Sequence, residues 1–121
     1  MFSHIMLGAN DVDASKKFYD ATLGALGVKA GSIDPKGRAV YKTSSGVFMI
    51  TKPIDGKPAT GANGGTVGFA ATSSKQIDAW HAAGLANGGK DCEDPPGARG
   101  GYYLAYLRDP AGNKLCALMP A

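Results

Sequence analysis

Cysteine and tryptophan are scarce in this chain. Two cysteines, Cys92 and Cys116, are too few for a disulfide framework. No apolar run approaches the roughly 20 residues that a membrane helix needs. The opening MFSHIMLGAND lacks the basic start and long apolar stretch of a secretion signal, so the cytoplasm is the expected compartment. A basic run is missing too. The net charge is +3, yet lysine and arginine are scattered from Lys16 to Lys114, and only Lys16 and Lys17 are neighbours. Nothing here forms the basic stripe with stacking aromatics that nucleic-acid binding calls for, so neither nucleic acid nor membrane is expected as a partner. What remains is a chain of 121 residues, 44% hydrophobic, which suits a single soluble domain over 1–121 with one sizeable core.

That domain contains an internal repeat. HIMLGANDVDASKKFYDATLGALG, from His4, aligns with TVGFAATSSKQIDAWHAAGLANGG, from Thr66, at an offset of 62 residues. Ile5 then meets Val67, Leu7 meets Phe69, Phe18 meets Trp80, Leu23 meets Leu85 and Gly27 meets Gly89. Each copy reads as a short alternating strand followed by a helix. Asn10 or Asp11 caps the first helix, and Ser73-Ser74-Lys75-Gln76 fits a capping box for the second. Gly24 and Gly27 close the first helix, and Gly84 with Asn87-Gly88-Gly89 closes the second.

Downstream of each helix lie a short candidate strand, near 27–32 and 88–93, and a hairpin. The hairpins are RAVYKTSSGVFMITKP and GYYLAYLRDPAGNKLCALMP. KPIDGKPATGANGG, rich in Pro and Gly, reads as a connection. Module one therefore spans about 1–52, the linker about 53–64 and module two about 65–121. The fold class is α+β, a duplicated β-α-β-β-β unit.

This duplication, with HIMLGANDVDASKKFY at the start and YLRDPAGNKLCAL at the end, resembles the vicinal oxygen chelate superfamily. That superfamily includes the glyoxalase, bleomycin-resistance and extradiol dioxygenase families. The resemblance implies two modules forming an incomplete barrel around a small-molecule cavity. It implies no single chemistry, since one fold hosts many.

Strand periodicity separates the two faces of each sheet without help from the family. Ile5, Leu7, Phe48, Ile50, Val67, Phe69, Leu115 and Ala117 form apolar sets expected to pack under the helices. His4, Met6, Gly8, Val47, Met49, Thr51, Thr66, Gly68, Ala70, Cys116 and Leu118 form the smaller, mixed face that suits a pocket lining.

Metal-dependent members of the superfamily place one ligand on each of four strands. By position, the resemblance assigns these to His4, Met49, Thr66 and Cys116. Only His4 keeps a usual ligand type for a divalent ion, and His4 with a Cys116 thiolate falls short of the ligand count of a catalytic zinc. No bound metal and no cofactor are expected. A nucleophilic Cys116 would need a depressed pKa and a base such as His4. The plainer reading is a small buried hydrophobe.

Two further residues depend on hairpin register. Pairing Tyr41 with Gly46 and Arg108 with Asn113 sets Arg38 beside Met49 and Tyr103 beside Leu118, both facing the cavity. Arg38 then suits an anionic group, its alternative being an edge arginine in solvent. Tyr103 offers a ring and a hydroxyl, its alternative being core. His81 beside Trp80 reads as structural, and EDPPGARGG reads as a long turn or a flap.

The expected function is binding of a small, partly apolar molecule, as in the drug-resistance branch of the superfamily, without a complete metal site. The ligand-binding set is His4, Met49, Thr66, Cys116, Arg38 and Tyr103. The alternative is a glyoxalase-like lyase or a dioxygenase using a residual metal or a Cys116/His4 pair. The resemblance also suggests a homodimer.

Overall fold

The computed structural model describes residues 1–121. Its first half runs β1 (His4–Gly8), α1 (Val12–Ala25), β2 (Ser32–Ile33), β3 (Ala39–Thr43) and β4 (Gly46–Thr51). The second runs β5 (Val67–Ala70), α2 (Ser74–Ala86), β6 (Lys90–Asp91), β7 (Gly97–Arg99), β8 (Tyr102–Arg108) and β9 (Lys114–Pro120). The sheets have orders β1-β4-β3-β2 and β5-β9-β8-β6, so the repeat read from the sequence is a repeat of topology. In each half the helix carries the chain from the first strand to a parallel pairing with the last, β1 with β4 and β5 with β9. The sheets stay separate, with β1 and β5 at their edges, and no barrel closes.

Both helices start where the sequence places them. The Asp11 carboxylate accepts from the Ala14 amide at 3.0 Å, satisfying one of the free donors of the first turn. Ser73 Oγ does the same for the Gln76 amide at 3.1 Å. The return arm of that capping box reaches one residue further back than expected: Gln76 Oε1 accepts from the Thr72 amide at 2.9 Å. At the end of α1, the amides of Gly27 and Val28 bond back to the carbonyls of Gly24 and Leu23, with Gly27 at a φ of 86°.

The helices pack against each other and against the sheets, producing one core shared by both modules. Phe18, Tyr19 and Leu23 enter it from α1, and Ile77 and Trp80 from α2. Phe48, Ile50, Leu115 and Ala117 are buried under the helices as expected, while Ile5, Leu7, Val67 and Phe69 are half-buried against the same cluster. Fully burying one such aliphatic or aromatic side chain contributes about 1.5–3 kcal/mol, so this cluster supplies the main favourable term in folding.

A polar clamp crosses the module boundary. Asp109 Oδ1 accepts the amides of Ala111 and Asn113, each at 2.9 Å. Its Oδ2 accepts the Tyr19 hydroxyl of α1 at 2.5 Å and the Asn113 side-chain amide at 2.9 Å. The Asn113 amide nitrogen also donates to the Gly8 carbonyl of β1 at 2.9 Å. The linker is fastened at both sides: Asn10 exchanges hydrogen bonds with the backbone of Ala59, and Gly61 lies against Gly112 so closely that a Cβ there would stand 2.9 Å from the Gly112 oxygen.

Two expectations need correction. In the first hairpin Thr43 pairs with Gly46, closing a two-residue loop; Val40, rather than Arg38, stands opposite Met49. In the second, Arg108 pairs with Lys114, so Tyr103 stands opposite Met119, and Leu104 opposite Leu118. The cause is the Asp109 side chain, which draws Asn113 into the turn and leaves a five-residue connection. A slip of one residue reverses every side chain on the strand, so Tyr103 faces the helix and donates to Asp78 of α2 at 2.6 Å. EDPPGARGG is likewise no plain turn: its GAR pairs with β8 as β7.

Gly89, where α2 hands over to β6, shows how tightly the layers fit. A Cβ there would lie 2.5 Å from Phe18 Cε2 and 2.8 and 3.0 Å from the backbone oxygens of Gly84 and Arg108. Gly89→Ala should cost about 1–3 kcal/mol in urea unfolding. A stability equal to that of the parent would contradict this packing.

Candidate functional site

The side chains that turn away from the helices form two open faces. On the first sheet, His4 stands opposite Val47 and Met6 opposite Met49. On the second, Gly68 stands opposite Cys116, with Tyr106 on the far side of Cys116. Thr66 precedes β5 on the same face as Gly68. His4 and Met49 thus share one sheet, Thr66 and Cys116 the other. Leu104 takes the place expected for Tyr103, and the one-residue slip brings Tyr106 onto the open face beside Cys116, with the Lys114 ammonium 5.0 Å from its ring centroid. Lys114 is also paired with Glu93.

Arg38 sits just before β3, held at its own loop by Asp34: its Nε meets Asp34 Oδ2 at 2.6 Å. The Arg38 amide, followed by the guanidinium and the Lys36 amide, holds the Asp34 carboxyl below the usual carboxylate range. This cation has a partner within the chain.

Cys116 is buried, and its thiol points to the Ala117 carbonyl at 3.6 Å. Burial, reinforced by the Glu93 carboxylate, pushes the thiol's pKa up. That direction is opposite to activation of a nucleophile, which requires a cation or base to favour the thiolate. His4 makes its contact elsewhere, Nδ1 to Ser3 Oγ at 2.9 Å.

An apolar cavity of about 380 Å³ lies at the junction of the modules, between the edges of β1 and β5 and the end of α1. Among the expected site residues, only His4 lines it; Met49, Thr66, Cys116, Arg38 and Tyr103 do not. Its walls combine Val47, Gly68 and Ala70, from the face expected to line a pocket, with Ile5, Leu23, Leu26, Val28, Phe48 and Phe69, which the pattern places in the core, at the helix end or in a short strand. Periodicity placed His4, Val47, Gly68 and Ala70 on a pocket-lining face, but it does not tell whether two packed modules leave a gap between their edges, so the core-face residues beside them carried no signal for this cavity.

The family model for the glyoxalase/bleomycin resistance protein/dioxygenase superfamily matches residues 1–117. The chain belongs to that superfamily. A glyoxalase/bleomycin resistance protein from Albidiferax ferrireducens T118 is 59% identical, with 98% of each chain covered and a TM-score of 0.94. A lactoylglutathione lyase from Agrobacterium tumefaciens is 23% identical, covers 98% of this chain and 92% of its own, and has a TM-score of 0.68. Protein SA1046 from S. aureus shares the fold at 18% identity over 98% of this chain and 92% of its own, with a TM-score of 0.76. No curated protein matches the chain.

Membership raises the question of a divalent ion, and the donor set answers it. The four residues that the resemblance assigns as ligands, His4, Met49, Thr66 and Cys116, offer an imidazole, a thioether, a neutral hydroxyl and a buried thiol whose pKa is raised. Nowhere in the chain do three or more His, Cys, Asp or Glu side chains converge as ligands. These residues do not fit a hard or borderline dication.

The raised, buried thiol makes a direct prediction. With iodoacetamide at pH 8, the half-buried Cys92 should be alkylated well before Cys116 in the native protein, as followed by peptide mass spectrometry. Fast labelling of Cys116 would contradict the assignment of an inert core thiol.

Proposed function

We propose that this superfamily member is a small-molecule binding protein that works without a metal ion. The observation that carries the reading is the pairing of a 380 Å³ apolar cavity with a ligand set unfit for a dication. A cavity of this size is at the lower end of the roughly 300–1,000 Å³ used for small ligands, and its largely apolar lining matches such sites. Binding then draws on removal of apolar surface from water, at about 25 cal/mol per Å². His4 supplies a polar group at the mouth. Catalysis through a Cys116–His4 pair finds no support in the thiol's burial or in the separate contacts of the two residues. No helix is long and apolar enough to cross a membrane, which suits capture of a ligand from solution.

The resemblance to paired relatives extends the proposal to a homodimer, which would cover the exposed Met6. Elemental analysis after dialysis against micromolar Zn, Mn and Fe(II) should find no stoichiometric metal. Thermal-shift responses to a small-molecule library should be unchanged by EDTA. Near one equivalent of bound metal, or ligand responses that vanish in EDTA, would contradict the proposal.

A further inference from the structure

The cavity's lining contains not one Asp, Glu, Lys or Arg. Tyr41 lines it, but its hydroxyl is already committed to Asp20 at 2.8 Å and to the Lys16 carbonyl at 3.2 Å. Thr43 and Ser45 at the rim hydrogen-bond to one another at 3.1 Å. The remaining polar side chain is His4, whose Nδ1 is engaged with Ser3 and whose Nε2 makes no bond within the chain. Met1 at the rim is fully exposed and keeps its α-ammonium in water, so a charged ligand deeper in the cavity would lose its hydration without gaining a side-chain counter-charge, a large cost.

Three aromatic rings border this space, Phe69 half-buried and Phe48 and Tyr41 presenting only a small edge. Phe48 of module one meets Phe69 of module two edge to face, with centroids 5.2 Å apart and planes at 85°. Tyr41 lies 6.2 Å from Phe48 at 43°. Rings arranged at such angles accept a further ring in offset or edge contact. Gly68 and Ala70, small and exposed, flank Phe69 on β5 and also line the cavity.

Resting on the binding function proposed above, we infer that the cavity selects an uncharged aromatic molecule carrying one hydrogen-bonding group. The ring lies against Phe48 and Phe69, and the polar group is directed to His4. Phe48 and Phe69 come from different modules, so the ligand spans their junction.

An isosteric trio tests the inference: benzyl alcohol, benzoate and benzylamine, which are neutral, anionic and cationic at pH 7. NMR titration of the full chain should give saturable shifts at the amides of Phe48, Gly68 and Phe69 with benzyl alcohol. Benzoate and benzylamine should bind about tenfold more weakly or worse. Gly68→Leu should abolish the benzyl alcohol shifts; a Cβ at Gly68 meets no atom within 4 Å, so the added side chain extends into open space. Ala70→Leu, on the same strand and facing the same cavity, decides the point independently if Gly68→Leu unfolds. Equal binding of all three probes, lost in Gly68→Leu, would overturn the ligand class while leaving the binding function intact. Benzyl alcohol binding that survives both leucine variants would overturn the site. Absence of shifts with every probe would overturn the inference and the binding function together.

Discussion

One buried carboxylate ties the two modules of this chain together. Asp109 is 3% exposed, and its two oxygens receive four donors. Two of these are amides of its own turn, one is the Asn113 side chain, and one is a hydroxyl from the other module. Tyr19 is buried with it, and burial followed by the Asp109 carboxylate raises the hydroxyl's pKa well above its ordinary value. The proton therefore stays on the tyrosine as a donor. Hydrogen bonds to a charged group contribute about 1.5–3 kcal/mol each, and an orphaned buried carboxylate is costly, so the turn, α1 and the end of β1 are linked energetically as well as in space.

The clamp has a consequence for the site. It fixes module one against module two near Gly8 and Tyr19, at one end of the β1 and β5 edges. The two edges carry no shared ladder, and the apolar cavity extends toward their other end, around His4 and Ala70. A shared aromatic core, with Phe48 touching both Tyr19 and Phe69, connects clamp and cavity through packed rings. Of the four positions that the resemblance links to metal chemistry, three hold Met49, Thr66 and Cys116, residues without the charge to hold a dication. The modules still enclose a volume suited to a ligand. Fold and chemistry are separable here because the fold rests on the core cluster and the clamp, while metal chemistry would rest on four side chains that belong to neither.

Much of the fold was legible in the sequence because duplication doubled each weak signal. A lone alternating strand such as HIMLG is ambiguous; the same pattern recurring at TVGFA before another capped helix is not. The helix ends were readable from Asp11, Ser73 and Gly27 for local reasons of hydrogen bonding and φ. Hairpin register was not. Thr43 and Gly46 close a shorter loop than composition suggests, and Asn113 looks like the start of a strand until the Asp109 side chain claims its amide. The second error moved Tyr103 to the wrong face and hid Tyr106. The cavity was hidden for a different reason, since it arises from how two modules meet, and Phe48 or Phe69 looks the same in sequence whether it fills a core or borders a void.

The central claim is that Asp109 joins the modules through Tyr19 and Asn113 acting together. A double-mutant cycle in urea, comparing Tyr19→Phe, Asn113→Ala and the double variant with the parent, tests it most directly. Two donors sharing Asp109 Oδ2 should be coupled by about 0.5–3 kcal/mol, with a single cooperative transition in each protein. Additive losses, or a transition that splits into two in the parent chain, would contradict the account.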